Sequence, residues 1–161
     1  MRQSILDVWP SALTADVFEH DLRRFVGQFC RPNELQLDVS VRGDFATLSP
    51  RLQRSLYRVA QEALTNVVKH AGAMRAEISL QVIDGRVTLS IRDDGRGFDP
   101  EAALSRERDR EHFGLKGMRD RIEALGGSCA IDSTPGHGTT VSASIPLMTG
   151  AFNEKQVERA G

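Results

Sequence analysis

The sequence predicts an α+β fold, a two-layer α/β sandwich in which a mixed sheet is covered on one face by helices. Three observations carry that prediction. Segments with apolar residues at helical spacing are interleaved with strand-like segments rather than segregated from them. Two pairs of strands are joined by hairpin turns, Asp84-Gly85 and "PGHG" at 135–138. One helical segment, running to Ala71, is far longer than any other element.

The elements follow in order. In "TADVFEHDLRRFVGQF" (14–29), Val17, Leu22, Phe25, Val26 and Phe29 recur roughly at helical spacing, and "RPNE" ends the helix. "LQLDVSV" (35–41) alternates as a strand and "RGD" turns the chain. Ser49 and Pro50 are an N-cap and first helical residue for "RLQRSLYRVAQEALTNVVKHA", which Gly72 closes. "RAEISLQVI" and "RVTLSIRD" form the first hairpin. A charged stretch without apolar pattern, 99–113, reads as a loop, followed by the helix "GLKGMRDRIEAL" up to Gly126-Gly127. "SCAIDST" and "TTVSASIPL" form the last hairpin. Residues 1–34 are a helical lead-in to the same unit, 35–147 the main domain, and 148–161 a polar tail.

Bulk properties narrow the function classes. A chain of 161 residues buries a core without staples, and 40% hydrophobic and 27% charged residues are those of a soluble globular unit. A formal net charge of -1 makes nucleic acid an unexpected partner. There is no secretory leader and no run of about 18 apolar residues, so neither secretion nor a membrane span is expected. Cys30 and Cys129 lack CxxC spacing and read as small reduced thiols of a cytoplasmic protein.

Chemistry concentrates at three places. Val87, Leu89 and Ile91 form the buried face of their strand, so parity aims Asp93 inward and Asp94 outward. An inward carboxylate needs hydrogen-bond donors, from the protein or from a ligand. On the long helix, Glu62, Asn66 and Lys69 share a narrow arc with His70 at its edge. An amide oxygen for Mg²⁺, an ammonium for phosphate and a carboxylate to orient a water or take a proton suit a metal-bound polyphosphate; a solvated helix face with i,i+4 pairs fits the same arc. Gly114 and Gly117 stand where the next helix is expected to start, which suits either backbone N–H contacts to phosphate or close packing.

"YRVAQEALTNVVKHA", "IRDDGRGFD", "FGLKGMRDRIEALGG" and "STPGHGTTVSASIP" together resemble, in order and spacing, the N, G1, G2 and closing G boxes of the Bergerat-fold ATPases. The closest resemblance is to the catalytic ATP-binding domain of nitrate-sensor-type sensor histidine kinases, over about 35–147. Anti-sigma-factor serine kinases share the fold and part of the N box, and a non-catalytic nucleotide-binding regulatory module is a further alternative.

The resemblance implies ATP and Mg²⁺ as cofactors. By it, Asp93 accepts the adenine amino proton, and Gly95 and Gly97 bring the chain against the base, with Phe98, Leu115 and Thr139 in the nucleotide site. Glu62 takes the place of the catalytic N-box acid and Asn66 that of the metal-binding asparagine. Lys69 and His70 lie where the family contacts phosphates, Gly114 and Gly117 match the G2 glycines, and "PEAALSRERDREHF" (100–113) becomes the lid over the nucleotide. The implied partners are the dimerisation and phosphoacceptor domain of the same kinase and a response regulator, with this domain monomeric and the whole kinase a homodimer. The implied location is cytoplasmic, including the cytoplasmic part of a membrane-bound sensor. No two-helix dimerisation hairpin is evident, so the acceptor histidine is expected outside this sequence. His20, in "FEHDLRRFVGQ", stands on too short a helix, with the wrong spacing, for that role.

Overall fold

The computed structural model describes residues 14–105 and 110–147. The segments 1–13, 106–109 and 148–161 lie outside the described residues, and with them the polar tail and the middle of the expected lid.

Helix α1 (Ala15–Gly27) begins where Thr14 Oγ1 accepts the Val17 N–H at 3.3 Å. Its buried stripe is Phe18, Leu22 and Val26. Phe18 rather than Val17 enters the core, its ring 5.0 Å from Phe45 and 6.1 Å from Tyr57. The helix stops at Gly27, so Phe29 leaves the apolar face and is 48% exposed, against the sequence expectation. Asp21 is buried beside Tyr57, whose phenol is pushed upward by burial and then by its hydrogen bond to Asp21.

Strand β1 (Gln36–Arg42) leads through a short 3-10 turn to α2 (Pro50–Asn66), capped by Ser49 Oγ on the Leu52 N–H at 3.2 Å. Leu52, Leu56, Val59, Ala60, Ala63 and Leu64 form its core face. Gln53 is fully buried among them and donates from Nε2 to the Phe45 carbonyl at 2.9 Å. Past Asn66 the helix widens into a π turn, Val67–Ala71, and ends at Gly72 with φ 60°.

Strands β2 (Arg75–Ile83) and β3 (Arg86–Asp93) pair antiparallel across Asp84-Gly85, with φ of 51° and 70°, the positive pair required by a type I′ turn. Two helices follow, α3 (Pro100–Ser105) and α4 (Arg110–Glu123), then the hairpin β4 (Ser128–Ser133) and β5 (Thr139–Pro146). The sheet order is β1-β2-β3-β5-β4, with β1 parallel to β2 and every other pair antiparallel. This is the mixed sheet that the sequence predicts. Ile78, Leu80, Leu89, Ile91, Val141 and Ile145 face the helices, while the alternate positions Ser79, Thr88, Ser90, Ser142 and Ser144 carry the polar face.

The patternless loop expected over 99–113 is corrected: residues 100–105 and 110–113 are helical. Asp99 is the cause of the first, since its Oδ1 accepts the Glu101 and Ala102 N–H groups at 3.0 and 3.3 Å with Pro100 as first helical residue. Among the described residues no helix is long and apolar enough to cross a membrane.

Candidate functional site: a cavity at the end of β3

Where β3 ends, the chain turns through Asp94–Phe98 beneath the π turn of α2 and encloses, with α3, α4 and the start of β5, a cavity of about 480 Å³. That volume suits a nucleotide-sized ligand.

Asp93 occupies the last inward position of β3 and is 7% exposed. Its Oδ1 accepts the Gly95 N–H at 2.8 Å, and the Thr139 N–H also donates to the carboxylate. Burial raises its pKa above the ordinary value; those two donors counter the rise and the Asp94 charge adds to it. A carboxylate has about four acceptor positions, so two backbone donors leave capacity toward the cavity that Asp93 lines. Asp94 points out and does different work. Its Oδ1 accepts the Met74 and Arg75 N–H groups, both at 2.9 Å, fixing the start of β2, and the Arg75 N–H is the leading cause that holds its carboxyl below the usual range.

The glycines of "DDGRGF" have distinct reasons. A Cβ on Gly95 would stand 2.5 Å from the Ala71 carbonyl oxygen, so only glycine lets this loop lie against the π turn. Gly97 has φ 63°. Between them Arg96 donates from its N–H to the Ala71 carbonyl at 2.8 Å and from Nε to the His70 carbonyl, satisfying two acceptors that a helix end leaves open. The Phe98 N–H donates to Ser133 Oγ at 2.9 Å, and Ser133 Oγ is 2.8 Å from Thr139 Oγ1, which ties the loop to both strands of the last hairpin.

Asn66, His70, Asp93, Gly97, Phe98, Leu115 and Thr139 all line the cavity. Gly95 supports it through Asp93. Four residues lie off it. Glu62 is half-buried one turn before Asn66, and its carboxylate lies against Gly114. Lys69 is exposed and carries its ammonium 5.7 Å from the centre of the Phe29 ring. Gly114 and Gly117 are the fifth and eighth residues of α4, so their N–H groups belong to the helix ladder rather than to an open N-terminus. Gly117 lines a separate cleft beside Arg58.

Sequence reasoning singled out neither Arg96 nor Asp99, and gave Ala102 and Ala103 only as part of the expected lid; all four line the cavity. The run Asp99-Pro100-Glu101 was the available signal for the last three, being a helix start. Ile91, Val141, Ala63 and Leu115 give the cavity an apolar wall beside the polar groups, a surface suited to a flat aromatic base. Among the described residues no three His, Cys, Asp or Glu side chains gather to hold a metal. A divalent ion held mainly by phosphates and water, with one amide oxygen from Asn66, fits this donor set.

Residues 51–149 match the family described as histidine kinase-, DNA gyrase B-, and HSP90-like ATPase. The signal transduction histidine-protein kinase/phosphatase DegS of Bacillus subtilis is 37% identical over 100 residues, covering 62% of this chain and 26% of DegS. UhpB of Salmonella typhimurium, of the same description, is 43% identical over 103 residues, 64% of this chain and 19% of UhpB. The chain thus spans about a fifth to a quarter of the length of these relatives. Among solved structures, the histidine kinase domain of the blue-light activated kinase EL346 from Erythrobacter litoralis aligns with TM-score 0.64 at 22% identity, over 88% of this chain and 72% of that one. The Acinetobacter baumannii histidine kinase AdeS aligns with TM-score 0.69 at 16% identity, over 86% of this chain and 68% of that one. Both likenesses concern the fold.

Proposed function

Since the chain belongs to the family of histidine kinase-, DNA gyrase B- and HSP90-like ATPases, we propose that it is the ATP-binding catalytic domain of a sensor histidine kinase. In this reading it binds Mg-ATP in the cavity at the end of β3 and presents the γ-phosphate to a histidine on the dimerisation domain of the same kinase, from which a response regulator is phosphorylated. The domain is cytoplasmic, and the full kinase is a homodimer. The observation that carries the reading is Asp93: buried, held by the Gly95 and Thr139 N–H groups, and left with acceptor capacity beside an apolar slot.

Adenine offers an exocyclic amino donor to such a carboxylate, whereas guanine offers a carbonyl oxygen at the same position, so the arrangement selects ATP. Phe98, Ile91 and Val141 enclose the base, and Thr139 adds a hydroxyl beside it. Asn66 holds Mg²⁺ against the phosphates, where the ion supplies charge neutralisation, and His70 lies on the phosphate side. Glu62, one turn away, orients or deprotonates the incoming imidazole. Lys69 reaches phosphate by releasing the Phe29 ring. Phosphoryl transfer needs chiefly positioning and electrostatic stabilisation, which such a domain provides without holding the acceptor itself.

The test is transfer in trans. The chain, mixed with the dimerisation domain of its own full-length protein and with labelled Mg-ATP, is expected to place acid-labile phosphate on a histidine of that domain. Acid-stable phosphoserine, or ATP binding with no transfer to any dimerisation domain, would contradict the kinase assignment.

A further inference from the structure

Outside the nucleotide cavity, a second cleft lies between α2 and α4, which packs against it, and its lining is rich in arginine. The two helices run antiparallel: Gly114 lies against Glu62 near one end, and the later residues of α4 share the cleft with earlier residues of α2. The cleft has a volume of about 580 Å³ and, among the described residues, shares no lining residue with the nucleotide cavity.

Arg51, Arg54 and Arg58 reach it from α2 and Arg121 from α4, with Asp120 as the one carboxylate in the lining among the described residues. All four arginines are exposed. Among the described residues the ion pair is Arg23–Glu19 on α1, which does not line the cleft, and Arg58 makes one long contact to Gln61 at 3.4 Å. Four guanidinium groups with a single carboxylate, on a chain whose net charge is -1, are a local excess of positive charge that no ion pair among the described residues neutralises. Leu125 gives the cleft an apolar patch, and a Cβ on Gly117 would meet nothing within 4 Å, which leaves the middle open.

We propose that this cleft docks an acidic helix of a partner protein. Arg51, Arg54 and Arg58 stand at i, i+3 and i+7, a stripe about 10 Å long by helical rise, longer than a single phosphate group can bridge. A groove between two helices accepts a third helix laid along it. Carboxylates at i, i+4 and i+7 of that helix meet the stripe, and the planar guanidinium fork suits bidentate pairing with each. A nucleic-acid surface calls for a longer continuous basic track. A lipid surface calls for apolar anchors at the rim, and among the described residues the exposed large apolar side chains Phe29, Met74 and Ile83 do not line this cleft. Because α4 supplies Leu115 to the nucleotide cavity and Arg121 to the cleft, the docked helix bears on the same helix that walls the nucleotide.

The probe is a labelled alanine-rich helical peptide carrying glutamate at i, i+4 and i+7, titrated against the full chain at low salt. A peptide of equal composition with its glutamates spread around the helix serves as comparison. The patterned peptide is expected to bind about tenfold tighter than the spread one, the sum of three surface ion pairs, and to weaken with salt. Arg54→Glu with Arg58→Glu should remove that advantage while ATP affinity stays at the wild-type level, which also reports that the fold is intact. Equal binding of the two peptides, or patterned-peptide binding untouched by the double variant, would overturn the proposal. So would displacement of the peptide by millimolar inorganic phosphate, by phosphatidylserine vesicles or by duplex DNA.

Discussion

The Glu62 carboxylate lies against the Cα of Gly114, so that a methyl group at position 114 would overlap Glu62 Oε1. Residue 62 is in the longest helix and residue 114 in the helix antiparallel to it, and the absence of a side chain on one sets the position of the carboxylate on the other.

Gly114→Ala therefore separates position from stability. Glu62 is a flexible side chain that can swing away, and alanine is favoured over glycine inside a helix by about 1 kcal/mol. Thermal unfolding is expected to show stability equal to or slightly above wild type. In the proposed kinase reading, phosphoryl transfer by the full-length protein should nonetheless slow, as it should for Glu62→Gln, while ATP binding persists. Wild-type transfer by Gly114→Ala would mean that the placement of Glu62 is immaterial.

Arg96→Ala removes the Nε donor to the His70 carbonyl at the end of the π turn, while the main-chain N–H bond to the Ala71 carbonyl remains. Arg96 is exposed, so the expected loss is about 1 kcal/mol in urea unfolding. Amides of Val67–Ala71 should exchange faster and nucleotide affinity should fall, because His70 and Ala71 line the cavity. Unchanged exchange there would remove the capping role.

Asp94 gives a pH prediction of definite sign. Its pKa is lowered from 3.8 in the folded chain, led by the Arg75 N–H. A lowered carboxyl contributes stability that is complete above the unfolded value and is lost as pH falls through the folded one. Asp94→Ala should be less stable than wild type at pH 7, and the difference should shrink on acidification below about pH 4. A difference that stays constant from pH 7 to pH 3 would contradict the clamp on Met74 and Arg75.

Much of this was legible because it follows from local rules. Ser49-Pro50 start a helix, Asp84-Gly85 make a hairpin, and strand parity places Asp93 inward, each within a few residues of chain. The α3 helix was missed because its Asp99-Pro100 signal is followed by only a few residues with no apolar period. Gly114 and Gly117 read as a helix start because the stretch before them carries no apolar period, yet the helix begins at Arg110, and at 114 packing against Glu62 accommodates a glycine inside it. Lys69 shares its helix arc with Asn66, yet it turns to Phe29, a residue placed there only by the end of α1. Such pairings depend on tertiary approach and leave no periodic trace.

Asn66→Ala should abolish the Mg²⁺-dependent part of ATP affinity and leave most of the adenine contribution, since Asn66 and Asp93 contact opposite parts of the ligand in the proposed pose. Calorimetry with and without a chelator measures both parts. If chelation leaves wild-type affinity unchanged, Asn66 holds no metal there.

Asp93 is the residue on which the account turns, and calorimetric titration of wild type and Asp93→Asn with ATP and GTP tests it directly. Wild type should prefer ATP strongly, and Asp93→Asn should weaken ATP binding about tenfold or more, the 1.5 to 3 kcal/mol typical of a hydrogen bond to a charged group. Burial raises the Asp93 pKa above 3.8, so wild-type ATP affinity should fall more steeply than that of Asp93→Asn as pH drops from neutrality through that raised value. Equal affinity of wild type for ATP and GTP, or an Asp93→Asn variant that binds ATP as wild type does, would contradict the assignment of this cavity to adenine.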